Sequence, residues 1–98
     1  MIYTVIVTFD INEGVSGDYP KVYREFKKID LDKIYPCGDD SDDELPSTTT
    51  MGLIEGDDEL DISKDMMKKI KVIFKKLKLK GKVFISVYEE GYEDCQEI

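Results

Sequence analysis

The chain has 98 residues, of which 22 are acidic and 14 basic, and a formal net charge of −8. This length allows one domain, residues 1–98, with a single hydrophobic core. The absence of histidine excludes Ser-His-Asp and Cys-His catalysis, and no glycine-rich phosphate loop is present. We find neither a secretory signal nor an apolar stretch long enough to span a bilayer, so we expect a cytoplasmic protein without membrane association.

The first half of the chain predicts a strand, a helix and a second strand. Residues 3–10 alternate β-branched and aromatic side chains and end on Asp10, which predicts a central strand. After a loop, Asp18 is the predicted N-cap of a helix that ends near residue 29 and buries Val22 and Phe26. Residues 33–37 predict a short strand, placed at a sheet edge because Pro36 cannot donate a backbone hydrogen bond.

The second half predicts a strand, a helix and a strand. We expect the acidic segment 38–47 to form a mobile loop before a strand at 48–54, where Gly52 indicates a bulge or a close backbone approach. Ser63 is the predicted cap of a second helix that Gly81 stops. Its buried stripe comprises Met66, Ile70, Ile73, Phe74 and Leu77. Residues 82–88 predict the last strand, and 89–98 form an acidic tail that is either disordered or an interaction strand.

This βαββαβ order predicts an α+β, ferredoxin-like fold. Such a domain is a four-stranded antiparallel sheet in the order 4-1-3-2, with both helices on one face. The other face is then uncovered, so we expect a homodimer.

The two cysteines do not predict a metal site. Cys37 and Cys95 lack metal-ligand spacing and the chain has no histidine to complete a zinc site, so we expect no structural zinc. In a reducing cytosol two free thiols are expected, and pairing across the fold is the alternative.

Charge is distributed unevenly along the chain. Residues 34–63 carry a net charge of −10, residues 64–82 carry +8, and residues 89–98 carry −5. The basic stretch is either a lysine-covered solvent face or a surface for nucleic-acid phosphates, for which Lys68, Lys71 and Lys75 are the candidates.

The acidic clusters lack the spacing of a calcium loop. They are either solvated loops or a phosphate mimic that binds a basic nucleic-acid-binding protein through Asp39, Asp40, Asp42, Asp43, Glu44, Asp57 and Asp58.

Asp10 is the candidate catalytic residue. With Asn12 close by, it can hold Mg²⁺ through oxygen ligands, and in a two-fold dimer the two copies of Asp10 can share the ion. Such an ion polarises a phosphodiester and generates hydroxide. The alternative is that Asp10 only opens a turn through its side chain.

Three segments together carry a family resemblance. They are Val5-Ile-Val-Thr-Phe-Asp10-Ile-Asn, the helix Tyr19-Pro-Lys-Val-Tyr-Arg-Glu-Phe-Lys-Lys28, and Leu45-Pro-Ser-Thr-Thr-Thr-Met-Gly-Leu-Ile-Glu55. With these the chain resembles the Cas2-like group of small ferredoxin-fold proteins. The resemblance implies a homodimer and, in some members, metal-dependent cleavage of RNA or DNA at the position of Asp10. The chain departs from the nuclease pattern in having Arg24 as its only arginine and a strongly acidic loop between the middle strands.

Three functions are therefore open. The first is a Cas2-like dimer acting as a metal-dependent endonuclease on RNA or DNA. The second is a non-catalytic acidic inhibitor, of the phage anti-defence type such as an anti-CRISPR, that binds a host nucleic-acid enzyme. The third is a structural or regulatory component of a toxin–antitoxin or defence complex.

Overall fold

The described residues form two helices and five strands. The computed structural model describes residues 1–12, 17–36, 42–44 and 48–89, with the backbone alone at 34–36 and 42–44. The elements in chain order are β1 (Ile2–Ile11), α1 (Asp18–Lys27), β2 (Ile34–Pro36), β3 (Asp42–Glu44), β4 (Thr49–Glu55), α2 (Glu59–Lys76) and β5 (Gly81–Tyr88).

The main sheet is antiparallel and has β1 at its centre. Its order is β4-β1-β5, so that Val5 lies opposite Gly52 on one side and Val87 on the other. This is the predicted arrangement of the first, third and last strands. The α+β class and the antiparallel sheet are confirmed.

The predicted edge strand at residues 33–37, which would complete a four-stranded sheet, is not part of this sheet within the described residues. The main sheet has three strands there, and β2 pairs with β3 in a separate two-stranded sheet. The chain touches the outer edge of β4 through one bridge, in which Asp32 and Met51 exchange backbone hydrogen bonds of 2.8 and 2.9 Å. Pro36 has no N–H to continue a ladder, and residues 42–44 provide β2 with another partner.

One face of the sheet packs against both helices. Alternate residues of β1, including Val5, Val7 and Phe9, are buried there with Phe26 of α1 and Ile70 of α2. Four aromatic rings, those of Tyr19, Tyr23, Phe26 and Phe74, surround Phe9 with centroid distances of 5.3–6.2 Å. The single core therefore joins β1 to both helices, as the hydrophobic periodicity predicts.

The helix N-termini differ from prediction. The Asp58 carboxylate accepts a hydrogen bond of 2.8 Å from the Asp61 N–H and caps α2, so the prediction of Ser63 as the cap is wrong. Ser63 lies one turn inside the helix. Asp18 is the first residue of α1 and follows Gly17, which provides no side-chain cap.

Both helices end in the same type of turn, and neither turn uses glycine. Asp30 and Lys78 adopt left-handed φ angles of 67° and 57°. The N–H of Leu31 then donates a hydrogen bond to the Phe26 carbonyl oxygen, and that of Leu79 donates to the Phe74 carbonyl oxygen. This pattern is the Schellman motif, in which glycine is the usual left-handed residue. The prediction that Gly81 stops the second helix is therefore wrong, because Lys78 already ends it.

Gly52 and Gly81 lie where two backbone segments approach each other closely. A Cβ atom on Gly52 would lie 1.9 Å from the Asp30 carbonyl oxygen, and one on Gly81 would lie 1.9 Å from that of Asp10. The close approach predicted at Gly52 is confirmed. At this point the turn after α1 lies directly against β4.

Several predictions fall on residues outside the described ranges. Asp39, Asp40, Cys37 and Cys95 belong to this group, as does nearly all of the tail 89–98. Of the segment 38–47, residues Asp42–Glu44 form β3. Within the described part of the chain, neither helix is both long and apolar enough to cross a membrane.

Candidate functional site

The sheet face opposite the helices carries exposed apolar side chains. In an antiparallel sheet, residues in register point to the same face. Thr4 is opposite Leu53, and Thr8 is opposite Phe84, so these residues share the face away from the core. Leu53 is 57% exposed, Phe84 65% and Ile2 61%. On the same face Met51 is buried beside Asp32, Thr4 is 9% exposed, and Ile6 and Thr8 are half-buried. We call this face the open sheet face.

Asp10 lies on the open sheet face, at the end of β1. It is exposed and stands opposite Lys82 of β5. Thr8, Thr48, Lys82 and Phe84 line an open depression of about 550 Å³ with it. Asp10 is therefore at the basic end of the molecule, beside the lysines that flank Gly81.

Asn12 lies on the other side of this strand end. Its N–H donates to the Lys80 carbonyl oxygen at 2.7 Å, and it lines a different cavity from Asp10. The two predicted metal ligands are thus not brought around one cavity. Among the described residues there is also no group of three acidic or cysteine side chains arranged to hold a metal ion.

A groove of about 880 Å³ lies open between the end of α2 and the start of β5. Its floor is apolar and comprises Met67, Ile70, Phe74, Leu79 and Val83. Its rim carries four lysines, Lys71, Lys75, Lys78 and Lys80. We call it the lysine groove. Of the three predicted nucleic-acid-binding lysines, Lys71 and Lys75 lie on this rim, whereas Lys68 lies outside it.

The rim lysines differ from others on the same helix. Lys69 forms an ion pair of 3.1 Å with Asp65, and Lys76 pairs with Glu25 of α1. Within the described ranges, no carboxylate lies within ion-pair distance of the four rim lysines. Successive lysines one helical turn apart repel one another, by about 0.2–0.5 kcal/mol per pair. The rim is thus a concentrated positive charge that no described carboxylate pairs with.

Glu25 connects the two helices near this end. Its carboxylate accepts hydrogen bonds from Lys28 at 2.6 Å and from Lys76 of α2. These two bonds lower the pKa of Glu25 to about 2. The pair of lysines therefore keeps this carboxylate ionised and holds α1 against α2.

Acidic side chains gather at the opposite end of the molecule. The Tyr3 hydroxyl donates to the Asp57 carbonyl oxygen at 3.3 Å. The pKa of Tyr3 is raised mainly by burial and also by the nearby carboxylates of Glu59, Glu89, Asp58 and Asp57. Asp57 and Asp58, both predicted to bind a partner, are exposed here, and Asp58 also caps α2. Because α2 is about 27 Å long, the acidic and basic ends are well separated.

Sequence reasoning missed part of the lysine groove. Met67, Lys71, Lys75 and Lys78 follow the i, i+4, i+8, i+11 spacing of one helical stripe, so this signal was available. Lys80 was not predictable in this way, because its position depends on the left-handed turn at Lys78. Comparison of the chain with protein-family models, curated proteins and solved structures finds no match.

Proposed function

We propose that the protein is a Cas2-like homodimer with a ferredoxin-like fold, associated through the open sheet face. The observation that carries this proposal is the exposure of Ile2, Leu53 and Phe84 on one sheet face. Such a patch favours a partner surface of the same kind, since a two-fold interface is self-complementary. The order β5-β1-β4 supports the ferredoxin-like part, and the Asp32–Met51 bridge lies at the edge that the fourth strand of that fold occupies.

The activity that we propose for this dimer is metal-dependent cleavage of RNA or DNA at Asp10. Asp10 lies on the open sheet face, so a two-fold axis through this face can bring both copies together. Each protomer then supplies one carboxylate, which suits Mg²⁺ because this ion keeps several waters. A bound Mg²⁺ would polarise the phosphodiester. Lys82, opposite Asp10, favours the approach of a phosphate backbone.

The dimer is tested by the oligomeric state of Phe84→Lys. Burying the exposed two thirds of a phenylalanine contributes about 1–2 kcal/mol per copy, and the contact occurs twice in a two-fold dimer. We expect the dissociation constant to rise at least 30-fold, roughly, in sedimentation velocity. Leu60→Lys is the matched control, because Leu60 is equally exposed but lies on α2. A monomeric wild type, or equal effects of both variants, would contradict the proposed interface.

The activity is tested with labelled single- and double-stranded RNA and DNA in Mg²⁺, Mn²⁺ or EDTA. We expect cleavage by the wild type with metal and none by Asp10→Ala. Asp65→Ala, which removes an exposed carboxylate from α2, is expected to retain full activity. Cleavage that persists in Asp10→Ala would assign the activity to other residues, and a dimer without cleavage would leave a structural role.

The acidic end favours a second candidate function, inhibition of a nucleic-acid enzyme. Exposed carboxylates of Asp57, Asp58, Glu59 and Glu89 surround one end of the molecule, as phosphates line a nucleic acid. The test is titration of the chain into host nucleases, with residual cleavage as the readout. The double variant Asp57→Ser/Glu59→Ser spares the Asp58 cap and should relieve the inhibition. An equally inhibitory variant would contradict this function.

A further inference from the structure

We infer that the lysine groove binds a single-chain anionic amphiphile, a molecule with an aliphatic tail and a phosphate or carboxylate head. This site is separate from the open sheet face, and its ligand goes beyond the function proposed above. The groove lies between α2 and β5 on the helix side of the sheet, because Val83 belongs to the core-facing residues of β5.

The size and the floor of the groove fit a small apolar ligand. Binding sites for small molecules are typically clefts of about 300–1,000 Å³ with mostly apolar walls and a few polar groups that orient the ligand. The groove has about 880 Å³ and is lined below the rim by Met67, Ile70, Leu79 and Val83. Met67, Leu79 and Val83 are only half-buried, so the floor is open to a ligand. Burying this aliphatic surface favours binding of an alkyl chain.

The rim determines the charge of the ligand. Lys71, Lys75, Lys78 and Lys80 carry up to four positive charges around one opening, and no described carboxylate pairs with them. An anionic head there relieves the repulsion between lysines one turn apart and forms charge-assisted hydrogen bonds. The left-handed Lys78, at φ 57°, turns the chain so that Lys80 also reaches the rim.

The aliphatic floor favours an alkyl chain over a nucleic-acid base. Bases bind mainly by stacking on exposed aromatic rings. Among the described residues that line the groove, Phe74 is the one aromatic residue; it is only 7% exposed and packs edge-on against Phe9 with an interplanar angle of 90°. It therefore presents no open ring face in the groove. An acyl chain needs no such face.

The test uses the full chain with dodecyl phosphate and laurate below their critical micelle concentrations, followed by backbone amide NMR shifts and calorimetry. We expect saturable shifts centred on Met67, Lys75, Lys78 and Leu79. The probe that binds with the lower dissociation constant identifies the preferred head group. Inorganic phosphate and dodecyl maltoside, which supply the head or the tail alone, should bind far more weakly. Equal binding of either one would overturn the inference.

Variants locate the site. Lys71→Gln/Lys75→Gln should weaken dodecyl phosphate binding by about tenfold or more, because two charge-assisted contacts are lost. Lys69→Gln is the matched control on the same helix, since Lys69 pairs with Asp65 and lies outside the groove. All three positions are exposed, so the variants should fold. Equal losses in both variants, shifts on the open sheet face, or tighter binding of a ten-residue oligothymidylate in the groove would overturn the inference.

Discussion

Replacing Gly52 with alanine should destabilise the protein severely. The new Cβ would lie 1.9 Å from the Asp30 carbonyl oxygen, well below any normal contact, so one of the two segments must move by more than 1 Å. Asp30 cannot move freely, because its left-handed turn is followed by the fully buried Leu31 and by the Asp32–Met51 bridge. Separation of the segments exposes Leu31, at about 1.5–3 kcal/mol. It also breaks two backbone hydrogen bonds, at about 1 kcal/mol each.

The expected loss is therefore roughly 3–5 kcal/mol, out of a total of about 5–15 kcal/mol for a domain of this size. Urea unfolding followed by circular dichroism measures it. Gly17→Ala is the matched control, because a Cβ there meets nothing within 4 Å and φ is −75°. Its free energy of unfolding should change by less than about 1 kcal/mol. A loss below 1 kcal/mol in Gly52→Ala would refute the close approach of the two segments.

Three further predictions concern the helix ends and the contact between the helices. Asp58→Ala should lower the free energy of unfolding by about 1 kcal/mol, whereas Ser63→Ala should leave it unchanged or raise it slightly, since alanine favours the helix interior; the reverse result in urea titrations would contradict the observed cap. Lys78→Gly should raise it by roughly 0.5–1 kcal/mol, since glycine adopts φ of 57° without strain, and a lower melting temperature would count against this. Because the pKa of Glu25 is lowered to about 2 in the folded protein, its contribution is present above pH 4.5 and is lost as the pH falls towards 2. The stability difference between wild type and Glu25→Gln should therefore shrink over that interval, and a constant difference would contradict the paired carboxylate.

The sequence was sufficient for the elements that depend on hydrophobic periodicity. The alternation in β1 and the helical stripe of α2 predict which side chains enter the core, because burial of apolar surface stabilises both elements in the fold. The antiparallel placement of β4 and β5 on either side of β1 also follows from the order of elements. The open sheet face is a consequence of the same prediction, since both helices lie on one side.

The sequence was not sufficient for features that depend on local backbone geometry, such as helix ends and the ends of strands. The αL positions at Asp30 and Lys78 are set by tertiary packing, which overrides the usual preference for glycine. Ser63 was the predicted cap of α2, whereas Asp58 caps the helix in the structure, and both side chains are of the types common at helix N-caps. The separation of Asp10 from Asn12 depends on how β1 ends beside Gly81, a contact between residues far apart in the chain. The lysine groove is likewise formed by two elements, of which only α2 carried a signal.

The most direct test of the proposed dimer is a chemical cross-link through position 10. In a chain carrying Cys37→Ser and Cys95→Ser, a short bismaleimide, which links two thiols, should join two copies of Asp10→Cys into a covalent dimer. The reason is that two carboxylate oxygens bound to one Mg²⁺ lie at most about 4 Å apart, which places the two backbones beyond the span of a direct disulfide but within reach of this reagent. Asp65→Cys on α2 should stay monomeric on the same non-reducing gel. A dimeric protein in which Asp10→Cys does not cross-link, or cross-links no more than Asp65→Cys, would contradict the proposed interface.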